Sequence, residues 1–99
     1  MTKIETDKIL TLHPQGKAGV NILRRRYETI RTFILDTLRE AGDMTYQELN
    51  DRAVEELQPT FDGKVPWYLV TVKLDLEARG EIERVPKTSP HKVRLAEGV

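Results

Sequence analysis

The chain has 99 residues, 16 basic and 16 acidic side chains and no cysteine. That length suits one domain with one core. The lack of cysteine excludes disulfides and thiolate metal sites, no apolar run approaches the ~20 residues needed to cross a bilayer, and zero net charge counts against a dedicated DNA-binding domain, which gains affinity by neutralising phosphates. The N-terminus MTKIETDKIL lacks the apolar core of an export signal, so a cytoplasmic protein is expected. The charge is unevenly spread. Residues 1–31 carry seven basic and three acidic side chains, residues 32–62 carry two and eight, and residues 84–99 carry four basic side chains against Glu97. Opposite blocks of this kind pair within one chain or between two.

In chain order, KILTLHPQGKAGVNI holds two short β-favouring runs, Ile9–Leu12 and Gly19–Ile22, around the turn signal Pro14-Gln15-Gly16. An extended arm or loose hairpin over residues 1–22 is expected, followed by the main body over 23–99. In RRRYETIRTFILDTLREAGD, Tyr27, Ile30, Ile34, Leu38 and Ala41 recur at helical spacing with Phe33 beside them. This first helix is expected to start near Asn21 or Leu23 and to end at Gly42 in the left-handed conformation. Thr45 and Glu48 have the spacing of a capping box. Leu49, Ala53 and Leu57 then make the apolar stripe of a second helix, which Pro59 stops. Met44–Thr45 suits a very short strand.

The segment from Pro66 to Arg79 is ambiguous. Val70, Val72, Leu74 and Leu76 alternate with polar residues as in a strand. Its length, its Leu-Glu-Ala-Arg end and the stop at Gly80 favour a third helix. As a helix it is apolar on two sides, with Leu69, Val72 and Leu76 on one and Trp67, Val70, Leu74 and Ala78 on the other, so both sides need cover. After Gly80, EIERVP is a strand with Ile82 inward, KTSP a turn, and HKVRLA a returning strand with Val93 and Leu95 on one face.

Helix, helix, helix and hairpin in this order, with LEARGEIER at the third helix and MTYQEL at the second, resembles the winged-helix variant of the helix-turn-helix fold. TLHPQGKAGVNI, FDGKVPWY and TVKLDLEARGEIERVP together look like a small bacterial winged-helix-like family of unknown function. The expected class is therefore α+β winged helix: three helices, a C-terminal two-stranded wing and an N-terminal arm. The resemblance to winged-helix DNA binders implies a third helix in the major groove, with Tyr68, Thr71, Lys73, Asp75 and Arg79 outward beside Trp67, Val70 and Leu74. A groove reader presents Arg, Lys, Asn or Gln to base edges, and this helix mixes apolar and acidic residues among them.

The candidate chemistry is sparse. His13 and His91 have no metal-ligand spacing, and HPQGKAG lacks the first glycine and the Ser/Thr of a phosphate loop. No cofactor and no convergent catalytic set are indicated. Arg24–Arg26 sit at a helix start, where positive charge opposes the macrodipole, and pairing with Glu28 or with the acidic second helix would relieve this. Arg84, Lys87, Lys92 and Arg94 on the wing, with Lys73 and Arg79, are the candidate nucleic-acid contacts; the wing cations equally suit a solvated edge that resists aggregation. Trp67, Tyr68, Val70 and Leu74 are the candidate interface, covered by the arm or by a second chain. The expected function is a small non-enzymatic module acting through protein contacts, as a homodimer or with a protein partner, with a DNA-binding regulator as the alternative.

Overall fold

The computed structural model describes residues 7–96. Its elements run β1 (Lys8–Leu10), β2 (Asn21–Leu23), α1 (Arg24–Ala41), β3 (Met44–Thr45), α2 (Tyr46–Leu57), α3 (Val65–Arg79), β4 (Ile82–Val85) and β5 (Lys92–Leu95). The class is α+β, with three helices and antiparallel sheets, in agreement with the winged-helix-like order expected.

The described part of the arm is a hairpin, and residues 1–6 of the expected arm lie outside the described residues. Ile9 pairs with Ile22 in an antiparallel β1–β2 ladder. The ladder is extended by Thr11 N–H to Val20 O at 2.9 Å and by Val20 N–H to the Thr11 hydroxyl at 3.0 Å. Gly19 is required by this approach, since a Cβ there would lie 1.7 Å from the Thr11 carbonyl oxygen. β2 then runs without a break into α1.

Along α1 the periodic residues Tyr27, Ile30, Ile34 and Leu38 are buried, with Phe33. Ala41, at the end of the expected stripe, is instead exposed. Gly42 has the expected positive φ (80°), but its ψ of −154° departs from the left-handed helical value. Thr45 and Glu48 form the full capping box of α2: the Thr45 hydroxyl accepts from Glu48 N–H at 3.1 Å, and the Glu48 carboxylate accepts from Thr45 N–H at 2.9 Å. Leu49 and Ala53 are buried and Leu57 partly so.

α3 is helical throughout, one residue longer at its start than expected, with Pro66 in its first turn. Gly80 ends it at φ 78° and ψ 18°, its N–H reaching Leu76 O and Glu77 O. Val65, Leu69, Val72 and Leu76 are fully buried, because α3 packs against α1 on one flank and α2 on the other. The C-terminal sheet has the order β3-β5-β4, so the last strand is central. Val93 pairs with both Met44 and Arg84, and Ile82 with Leu95. Ile82 and Val93 close the core beneath α3.

Candidate interaction face

Five large apolar side chains are exposed among the described residues: Leu10 (54%), Leu12 (43%) and Val20 (40%) from the arm, and Trp67 (45%) and Val70 (38%) from α3. They lie together. Leu12, Val20, Trp67 and the half-buried Leu74 line one hollow of about 210 Å³ between arm and helix. Leu10, Leu12 and Ala78 line an adjoining one of about 460 Å³. Trp67, Val70 and Leu74 follow one another at helical spacing, on the side of α3 opposite its buried residues. The arm therefore covers only part of the second apolar side of α3. Exposed apolar patches of this continuity mark contact sites.

Beneath the arm, the fully buried Asp75 carboxylate holds three elements together. It accepts from the Leu12 backbone N–H at 2.8 Å, from the Tyr27 hydroxyl at 2.5 Å and from Arg79 Nε at 2.9 Å. Burial first, and then the hydrogen bond and charge of Asp75, push the Tyr27 hydroxyl well above its ordinary pKa. This corrects the expectation that Asp75 faces outward: a carboxylate with three donors is better served inside the body than toward phosphates. Arg79 is tied to it through Nε, with its side chain one-third exposed.

Lys73 is also corrected. Its side chain is 4% exposed and pairs with the 8% exposed Glu77 at 2.7 Å. The ammonium lies 5.8 Å over the Tyr46 ring, and Arg84 Nε approaches Glu77 from outside at 3.8 Å. The start of α2 and the wing close over this side of α3, and two charges one helical turn apart satisfy each other there. His91 stands beside them with a buried Nε2 that has no hydrogen-bond partner. Burial, then Lys73 and Arg84, hold its pKa below the usual imidazole value.

The remaining wing cations differ in their freedom. Arg94 bonds to Glu83 across the hairpin at 2.7 Å, whereas Lys87, at the turn with φ 62°, and Lys92 are exposed. Tyr68, expected at the interface, is partly buried on the α1 flank. Its hydroxyl accepts from Arg26 at 2.7 Å, and its ring meets Trp67 and Phe61 edge-on at 4.9 and 5.2 Å.

The arginine run pairs inside the chain, with partners other than those expected. Arg24 meets Asp7 at 2.7 Å, and Arg25 and Arg26 converge on Asp62 at 2.7 and 3.1 Å. The two guanidiniums hold the Asp62 carboxyl well below the usual carboxylate range. Asp62 lies in the loop before α3, which brings it to the α1 terminus.

Sequence reasoning singled out the α3 half of the apolar face and missed Leu10, Leu12 and Val20. The signal was present, since Leu10 and Leu12 alternate with Ile9 and Thr11, and Ile9 and Thr11 are the residues turned inward. Among the described residues no group of three or more His, Asp or Glu side chains is placed to hold a metal ion, and no helix is long and apolar enough to cross a membrane.

Residues 8–93 match the model of a family described as of unknown function, DUF6958. The chain belongs to that family. No curated protein matches it. No solved structure matches it. The DUF6958 match covers β1 through the middle of β5, so arm, third helix and wing are all family territory.

Proposed function

We propose that this DUF6958 protein is a non-enzymatic module with a winged-helix-like body that acts through protein contacts made by its arm and third helix. The observation that carries the reading is the joined apolar face of Leu10, Leu12, Val20, Trp67 and Val70, half-exposed at the position where a winged-helix reader would present polar side chains to DNA. The ionisable groups behind it are consumed in structural pairs, Asp75 with Arg79 and Glu77 with Lys73, which leaves no acid–base set poised over either hollow. A homodimer through this face is one form of the contact. The charge argument for it is weakened, because the basic residues 24–26 are engaged by Asp7 and Asp62 of the same chain.

A DNA-binding regulator is the second reading, favoured by the exposed Lys87 and Lys92 on the wing. One experiment separates the two. A photo-crosslinking residue is placed at Val70 in cells producing the protein, with the same residue at Glu55 on α2 as comparison. The expected result is a light-dependent protein adduct from position 70 that is suppressed by Trp67→Asp. Nucleic-acid adducts from position 70 would favour the regulator. Equal protein adducts from both positions would overturn the contact reading.

A further inference from the structure

The charges around the apolar face are of one sign. Neither hollow has an acidic side chain in its lining, and the ionisable groups there are His13 and Lys17. The arm over residues 8–20 has Lys8 and Lys17 and no carboxylate. Lys8 shares the outward side of β1 with Leu10, two residues on. Lys64 immediately precedes α3, three residues before Trp67, and is exposed. Both carboxylates of α3 are turned inward and neutralised, Asp75 by Arg79 and Glu77 by Lys73, with Arg84 still closing on Glu77 from the rim. The exposed carboxylates nearest these lysines in sequence, Asp7 and Asp62, are taken up by Arg24 and by Arg25 and Arg26, and other exposed acid lies on α1 and along α2, at Glu48, Asp51, Glu55 and Glu56. An apolar strip framed by uncompensated lysines is thus what a docking segment would meet.

We infer that the natural occupant of this face is an acidic amphipathic segment of another protein, which sets apolar side chains into the two hollows and carboxylates against Lys8, Lys17 and Lys64. The inference rests on the protein-contact reading above and names the partner's chemistry. The two hollows share Leu12 and lie side by side, so anchors a turn apart on a helix reach both. Opposite charge at the rim supplies encounter rate and selectivity, while the buried apolar anchors supply most of the affinity. A second copy of this chain fits less well: in a two-fold contact the same patch meets itself, lysine frame toward lysine frame. Nucleic acid fits the charge but fits the centre of the face poorly: Trp67 offers a stacking surface and a donor, whereas Leu10, Leu12, Val20, Val70 and Leu74 offer neither.

The test uses the full chain and two synthetic 18-residue amphipathic helices with identical Leu and Phe positions, one with Glu and one with Lys at all other sites, titrated by calorimetry. The Glu peptide is expected to bind at least tenfold more tightly than the Lys peptide, to weaken as salt rises from 50 to 300 mM, and to lose about tenfold in affinity on Lys17→Glu. Val70→Asp, and separately Trp67→Asp, should abolish binding, with circular dichroism verifying that each variant is folded. If both peptides bind alike, the face remains a protein contact and the acidic partner is overturned. If neither binds and sedimentation shows a dimer that Val70→Asp dissociates, the second copy is the occupant and only this inference falls. If neither binds and the protein is monomeric, this inference falls as well. Preferential binding of a duplex or single-stranded oligonucleotide at the face overturns both readings.

Discussion

The backbone N–H of Leu12 donates to the carboxylate of Asp75 at 2.8 Å, across 63 positions of sequence. Through that bond an arm hairpin, which would be marginal alone, is fastened to the third helix. The same carboxylate satisfies Tyr27 of α1 and Arg79 of α3, so arm, first helix and third helix share one buried anion. Asp75→Ala removes the acceptor and strands a buried hydroxyl and part of a guanidinium. A loss of about 3 kcal/mol in urea unfolding is expected, in the range for breaking a buried ion pair. Hydrogen exchange at the Leu12 amide should rise with it. Unchanged protection at Leu12 would mean that the arm is held by its apolar contacts instead.

Acid should loosen the wing. His91 has a folded pKa below its ordinary 6.5, because its ring is partly buried with Nε2 unpartnered and because Lys73 and Arg84 stand nearby, with only Glu77 opposing them. The folded state therefore prefers the neutral ring. The stability this confers is complete above the unfolded pKa and is lost as pH falls through the folded one. The difference in urea midpoint between wild type and His91→Gln should change as pH drops from 7.5 to 5, the wild type losing more. Parallel curves for the two proteins would refute the assignment.

Gly19→Ala should open the hairpin. The new methyl group would meet the Thr11 carbonyl at 1.7 Å, with the Thr11 hydroxyl oxygen at 2.9 Å, and backbone cannot yield as a flexible side-chain tip can. A cost of about 1–3 kcal/mol, as for overpacking, is expected, together with loss of extended-strand chemical shifts over Lys8–Leu10 and Asn21–Leu23. Retention of those shifts would show that the ladder can slide to accommodate the methyl.

Two substitutions on opposite sides of α3 should behave differently. Leu76 is fully buried, and Leu76→Ala should cost about 2–5 kcal/mol. Trp67 is half-exposed, so Trp67→Ala should cost the free protein far less while removing about 2 kcal/mol or more from binding at the apolar face. Its indole should be open to iodide quenching in the free chain and shielded when that face is covered. Equal unfolding penalties for the two would place Trp67 in the core rather than at a contact.

Much of this is legible in the sequence. The capping box at Thr45 and Glu48 and the stop at Gly80 are local rules with near-neighbour causes, and the elements follow them closely. The third helix was readable in spite of its alternating pattern, because length and end signals outweighed periodicity. What stayed hidden is non-local. Nothing in the spacing of Lys73 and Glu77 says that α2 and the wing close over them. Nothing near Asp75 announces that Leu12 will arrive as a donor. Charged residues on a helix are assigned outward by default, and both inward turns of α3 depend on partners from distant parts of the chain. The arm half of the apolar face was missed for the same reason: alternation in Ile9–Leu12 shows two sides, but only the docked hairpin shows which side is left open.

The position of β5 bears on how the molecule is made. Neither β3 nor β4 pairs with the other; each pairs only with β5. Until residues 92–95 are in place, Met44 and Ile82 have no strand to close on, and the floor beneath α3 is incomplete. The helices can form early, but the sheet is the last thing completed, by a contact spanning nearly half the chain, and such long-range closures are slow. A chain truncated before residue 92 should therefore be helical but protease-sensitive, and restoring β5 should convert it to a resistant form.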